Sequence, residues 1–368
     1  GLSQSTNPYR DSLGGDAGHA CGHNLFGAAS VHAAVAIKEY LKETNQKGTI
    51  RLYGTPAEEG GSGKVYIARD GYFDDVDIVL HWHPDDLNKS HFSSSNGNKS
   101  ARFTFKGISA HAAGAPQNGR SALDGVEAMN MMVNMMREHM DEEARIHYVI
   151  TKGGLAPNVV PEEAQVYYYV RHPKVNGVVE LFERVVKAAE GAARGTETKL
   201  EYEVMHGNYP LMPNRVLSEM INTELLKLGG ISYNDEEMAY AQELYKTLLN
   251  PSREIGSQEQ IQPLRLSAGK GSTDVGDVSW KVPTSGVRIA TWVPGTSSHS
   301  WQAVAAGGTS IGTKGANLAA KALANSAIKL LENPEIIKMA WDEHLDRVGD
   351  HNYQALLGDR EPPLDYRK

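Results

Sequence analysis

The chain holds a single cysteine, Cys21, in 368 residues, which excludes an internal disulfide and leaves nothing pointing to an oxidising compartment. No apolar run approaches the roughly 18 residues that a membrane span requires. The opening segment GLSQSTNPYRDSLGG has neither the basic nor the apolar region of a signal peptide. Basic residues are in deficit, 37 against 45 acidic, giving a formal net charge of −8, and this argues against a nucleic-acid-binding surface. No repeat or low-complexity tract is visible. These absences predict a soluble, cytoplasmic protein with neither nucleic acid nor membrane as a partner.

Common active-site signatures are also missing. Gly60-Gly61-Ser62-Gly63-Lys64-Val65 lacks the first glycine and the final Ser/Thr of a P-loop. Gly269-Lys270-Gly271-Ser272-Thr273-Asp274 lacks the third glycine of a dinucleotide fingerprint. There is no H-E-x-x-H, and neither Gly-rich serine site completes G-x-S-x-G. Nucleotide enzymes and serine hydrolases lose ground.

What is present is an ordinary globular balance, 40% apolar and 22% charged, at a length that suggests two domains or one large one. Residues 25–43 read as a mostly buried helix and TIRLYGTPAEE as a short strand ending in a loop. A short helix at 63–70 leads to DIVLHWHP, a buried strand that Pro84 should stop. Strand, helix and strand in this order suggest an α/β layer, in which ligand sites gather at the carboxyl ends of strands. Near residue 98 the pattern changes. ARFTFKGIS, a helix at 120–139, RIHYVITKGG, AQVYYYVRHP, a helix near 176–193 and TKLEYEVMH run β-α-β-β-α-β. That order fits a ferredoxin-like α+β domain inserted at 98–212, splitting an α/β domain into 1–97 and 213–368. Helices near 215–228, 235–249, 313–332 and 334–347 and strands around 286–293 complete the second part. The methionines at 129, 131, 132, 135 and 136 read as core or interface filler.

Five places concentrate metal-ligand or proton-transfer residues. Gly18-His19-Ala20-Cys21-Gly22-His23-Asn24 offers a thiol and an imidazole two apart, suited to zinc or its transition-metal neighbours. In Pro56-Ala57-Glu58-Glu59-Gly60-Gly61, adjacent carboxylates can divide labour, one on a cation and one accepting a proton from water. His81-Trp82-His83-Pro84 sends both histidines to one face of a strand. Ser109-Ala110-His111-Ala112-Ala113 and Gly295-Thr296-Ser297-Ser298-His299-Ser300 each present one histidine from a small-residue loop. Any of them alone is more often structural; the combination carries the argument.

In that order and spacing, with Gly-Arg-Ser-Ala-Leu-Asp at 119–124, these motifs resemble the M20 metallopeptidase/amidohydrolase family over nearly the whole chain. Asn24, Trp82-His83-Pro84, Arg137-Glu138-His139 and the Gly-Ser-Thr-Asp-Val-Gly-Asp-Val run at 271–278 resemble the branch acting on p-aminobenzoyl-glutamate. The resemblance implies a zinc-peptidase-like α/β catalytic domain with an inserted lid/dimerisation domain, and further early strands of the catalytic sheet before residue 1. It implies Cys21, His23, Glu59, His83 and His299 as ligands of two divalent ions, zinc or manganese. Glu58 is implied as the general base and His111 as an oxyanion-stabilising residue reaching the partner's site. Asn158 and Arg171 are implied as substrate contacts, the arginine on a carboxylate. The expected reaction is hydrolysis of an N-acyl amino acid by a homodimer, or by a heterodimer with a related chain. The alternatives are a dipeptidase and a non-catalytic partner subunit.

Overall fold

The computed structural model describes residues 3–11, 13–15 and 17–364. Helix α1 (His23–Thr44) buries Ala29, Ala33 and Ile37 along one stripe. After it, residues 49–59 form no strand, contrary to the sequence expectation. Their β-prone pattern has no ladder partner among the described residues, and a cavity of about 630 Å³ is lined by residues 48–53 on one side and 79–81 of the neighbouring sheet edge on another. A strand pattern without a partner backbone leaves its polar groups to solvent.

Helix α2 (Gly63–Arg69) and strand β1 (Val79–Asp85) follow. Pro84 does not stop β1: it pairs with Ile289 across a parallel ladder. β1 lies at the edge of its sheet, where the missing N–H costs no ladder bond on the open side. The short β2 (Lys89–Ser90) and β3 (Ser93–Ser94) lead to β4 (Gly97–Lys106), α3 (Ala122–Met136), β5 (Arg145–Lys152), β6 (Glu163–His172), α4 (Val175–Gly195) and β7 (Lys199–Asn208). The β-α-β-β-α-β order closes a four-stranded sheet, β5-β6-β4-β7, antiparallel throughout. Strand β6 shows why: Ala164, Val166, Tyr168, Val170 and His172 are buried at every second position, while the intervening residues are less so. Val178, Leu181, Val185, Ala189 and Ala192 of α4 recur at helical spacing. Most of them join Val126, Met129 and Val133 of α3 over that inner face. The outer face, with Tyr167 and Tyr169, carries no helix from this core.

Helices α5 (Arg215–Leu228) and α6 (Asp235–Tyr245), β8 (Ser267–Ala268), α7 (Val275–Lys281), β9 (Thr284–Ala290), α8 (Trp301–Gly307), α9 (Ser310–Glu332) and α10 (Pro334–Val348) return to the α/β style. The sheet order is β1-β9-β2, with β9 parallel to β1 and antiparallel to β2. Trp82, Val287 and Ile289 from this sheet pack with Ala29 and Ala33 of α1 and the Ala-rich flank of α9. The short helices α7 and α8 escape the sequence reading, and α6 ends at Tyr245 rather than continuing to 249. Among the described residues no helix is long and apolar enough to cross a membrane.

Candidate metal centre

Four segments meet at the carboxyl end of β1. Gly22, at φ 72°, turns the chain sharply into α1. A Cβ at that position would lie 2.7 Å from Pro84 Cγ, so a glycine lets the Cys21–His23 segment lie against the strand end. Cys21 Sγ then stands 3.4 Å from His83 Nε2. His83 Nδ1 donates to the Pro84 carbonyl at 2.6 Å, which leaves Nε2 as the lone-pair nitrogen facing the thiol.

The Glu58–Glu59 turn and the His299 loop complete the ring. His299 N donates to the Ala20 carbonyl at 2.9 Å, and its Nε2 lies 3.3 Å from Glu59 Oε1. Among the described residues, six non-glycines have positive φ, and three of them, Ala57, Ser62 and His299, lie on these loops. Strain of that kind persists where surrounding structure over-determines it. Three overlapping groups, Cys21–His23–His83, Cys21–Glu59–His299 and His23–Glu58–Glu59, each bring their donor atoms within 4.8 Å of one another. The residues read as ligands from sequence therefore converge, with Glu58 beside them. His81 is in none of these groups; its Nε2 instead faces His91 Nδ1 at 3.4 Å.

The electrostatics describe a cluster short of positive charge. Burial pushes the Cys21 thiol up to about 12, reinforced by Glu59 and Glu58. Burial also raises Glu58 to about 7, aided by Asp274 and opposed by Lys64 and a hydrogen bond with Thr273. His83 falls to about 4 through burial and then the charge of Arg288. A thiol, imidazoles and carboxylates crowded in this way fit divalent cations, whose charge would bring the thiol and carboxyl back down and favour the neutral imidazole that the donor set needs.

A supporting ring is present that sequence reasoning missed. The buried Lys64 Nζ lies 3.0 Å from Asp274 Oδ1, while Lys64 N donates to Asp274 Oδ2 at 3.0 Å. Asp85 pairs with Arg288 behind His83. Lysine within a glycine-rich turn and aspartate in the 271–278 run gave the only signals, and nothing in either pattern pairs them.

A cleft of about 1040 Å³ opens over the cluster, lined by Cys21, Glu58, His83, Arg171 and His299 among others. Arg171 comes from the end of β6, its guanidinium carbon 5.5 Å from the Tyr169 ring centroid. Its Nε is buried and has no hydrogen-bond partner among the described residues. His111 and Asn158 are not brought to this cleft within one chain. Their loops pair instead: Ala112 N donates to the Asn158 carbonyl at 3.0 Å, His111 lies opposite Val159, and His111 Nδ1 accepts from Gly114 N at 2.9 Å.

Known proteins resemble this chain in sequence and fold. The peptidase dimerisation domain of the M20 family matches residues 93–197. One of the two p-aminobenzoyl-glutamate hydrolase polypeptides of Escherichia coli K12 is 40% identical, covering 93% of this chain and 77% of its own length. The Xaa-Arg dipeptidase of Mus musculus is 28% identical over 87% of this chain and 68% of its own. A dinuclear metal binding peptidase of the M20 family from Bacillus subtilis superposes with a TM-score of 0.58 at 16% identity, covering 90% of this chain and 78% of that one. With its ligand-type residues gathered at one strand end and a relative this similar along most of its length, the chain belongs to the M20 family of peptidases and amidohydrolases.

Proposed function

We propose that this chain is a metal-dependent amidohydrolase that cleaves the amide bond of an N-acyl amino acid, p-aminobenzoyl-glutamate giving p-aminobenzoate and glutamate. The observation that carries the reading is the convergence of Cys21, His23, Glu58, Glu59, His83 and His299 from four separate segments. The name of the 40% identical relative supports the substrate, and that of the Bacillus subtilis peptidase supports two metal ions.

Cys21, His23, Glu59, His83 and His299 would hold two divalent cations, zinc or manganese, which supply Lewis acidity and lower the pKa of a water. Glu58, half-buried beside these ligand-type residues, accepts that water's proton and delivers it to the departing amine. Arg171 grips the substrate carboxylate bidentately, since it lines the same cleft with its Nε unpartnered. Asn158 and His111 serve the site of a second chain, where His111 donates to the oxyanion. Residues 98–212 then act as lid and dimerisation domain, and 1–97 with 213–368 as the catalytic domain. Exposed Met131 and Met135 on α3 and the open edge of β5, with Tyr148, Val149 and Ile150 exposed, supply an apolar face for a homodimer or a related chain. A single cysteine at the metal cluster suits a reducing, cytoplasmic setting.

Hydrolysis of p-aminobenzoyl-glutamate and a small dipeptide panel, with and without added Mn²⁺ or Zn²⁺, tests the proposal. Metal-dependent release of p-aminobenzoate is the expected result. Turnover confined to dipeptides would reassign the substrate, and none at full metal occupancy would leave a non-catalytic partner chain.

A further inference from the structure

We propose that Ser62, His206 and Asn208 form a positioning relay that ties the Glu58–Glu59 turn to the end of β7, where the chain leaves the inserted sheet. The inference rests on the amidohydrolase reading, which gives Glu58 its task. Its geometry stands on hydrogen bonds among buried groups. Ser62 Oγ bonds His206 Nδ1. His206 Nε2 donates to Asn208 Oδ1 at 2.8 Å, so Nδ1 is the accepting nitrogen and the serine hydroxyl donates to it. The asparagine amide is fixed in turn, since its Nδ2 donates to the carbonyls of Tyr209 at 3.0 Å and Thr273 at 3.1 Å. Thr273 in turn lies beside Glu58 and holds its carboxyl down against the effect of burial. The path therefore leaves the turn at Ser62 and ends at Thr273, next to Glu58.

The identity of residue 62 supports a role beyond filling space. It sits in Gly60-Gly61-Ser62-Gly63 at φ 60°, a conformation that glycine adopts without strain. Position 63 excludes any side chain, because a Cβ there would lie 2.0 Å from the Pro56 carbonyl oxygen. In a turn otherwise built of glycine, the one side chain present reaches His206. Lys64 and Asp274 tie the same turn to the 271–278 run a step further on.

The relay ends where the inserted sheet carries its substrate-facing arginine. Asn208 lies opposite Asn98 in the β7–β4 register, and Asn98 lies opposite Arg171 in the β4–β6 register. Seating a carboxylate on Arg171 and setting the orientation of Glu58 thus involve one row of the sheet. Ser62, His206 and Asn208 need not touch substrate; they act through Glu58.

Steady-state hydrolysis of p-aminobenzoyl-glutamate by Ser62→Ala, Asn208→Ala and the double variant, each loaded with Mn²⁺ and assayed for bound metal, tests the relay. Each single variant should lose about tenfold or more in kcat, as small misplacements of a reacting group do, with KM and metal content little changed. The double variant should be no slower than the worse single one, because the two sites share one path. Additive losses, or a fall in melting temperature with kcat intact, overturn it. Hydrogen exchange of the amides of residues 57–63 separates this inference from the hydrolytic reading. Faster exchange there in Asn208→Ala upholds the coupling even where wild-type protein hydrolyses nothing, and unchanged exchange refutes it.

Discussion

Glu58 and Glu59 are neighbours in sequence with divergent surroundings. Glu59 faces His299 and joins Cys21 in one donor group, whereas Glu58 is set among Asp274, Lys64 and Thr273 and is pushed up to about 7. Glu58→Gln should therefore leave bound metal near normal and reduce turnover by roughly 10²–10⁴-fold, the usual cost of losing a general base. Metal analysis beside kcat checks this, and a variant retaining most activity would remove Glu58 from that role. Asp277 shows how strongly burial alters a carboxyl. It is held up to about 7 against an ordinary value of 3.8, chiefly by burial, while accepting from Tyr209 N and Tyr353 OH. The folded chain thus keeps a proton that the unfolded chain releases, so stability falls as pH rises from about 4 to about 7. Asp277→Asn keeps an acceptor for Tyr209 and cannot ionise. It should be more stable than wild type at pH 8, by on the order of 2–4 kcal/mol, with the gain vanishing near pH 4. Denaturation midpoints at the two pH values decide it.

At the scale of elements, local pattern and long-range pairing were unequally legible in sequence. Amphipathic α4 and alternating β6 declare themselves because their periodicity is complete within one segment. The 49–59 run shows the opposite case: its residues favour a strand, but a strand needs a partner backbone that local sequence does not contain. Helices α7 and α8 are seven residues each, too short for a periodic signal to develop. The ligand-type residues were legible through motif chemistry, whereas Lys64–Asp274 and Ser62–His206 join distant segments and became visible only in three dimensions. Gly22 is where element and site meet, since α1 can start beside β1 only without a side chain there. Gly22→Ala must displace Pro84 and hold φ 72°, moving Cys21 and His23 away from His83. Metal affinity should fall 10–100-fold, the range typical of lost ligand support. Competition titration with a chelating dye reads this directly. Unchanged affinity would mean that the loop relaxes without moving its ligands.

At the scale of the whole molecule, one chain places Glu58, its ligand-type residues and Arg171 in a common cleft but leaves His111 and Asn158 outside it. Within its own loop His111 accepts from Gly114 N, which fixes Nδ1 as the lone-pair nitrogen and leaves Nε2 carrying the proton. An exposed imidazole with a donor Nε2–H is the form needed to stabilise a developing oxyanion. The hydrogen bonds to this ring come from the backbone of its own loop, with no carboxylate among them to divert it into a local pair. The same inserted domain exposes Met131 and Met135 on α3 and carries β5 as an open strand edge, the features through which a second copy would dock. If docking brings each His111 loop to the partner's cleft, the two halves of one active site belong to different chains. Mixing His111→Ala with Glu58→Gln protomers, each inactive alone, then yields heterodimers with one site built from both intact residues. Protomer exchange should restore up to about half the wild-type activity per heterodimer, since one of the two sites is whole. Heterodimers shown to form by native mass spectrometry, yet as inactive as either parent, would confine His111 to its own loop.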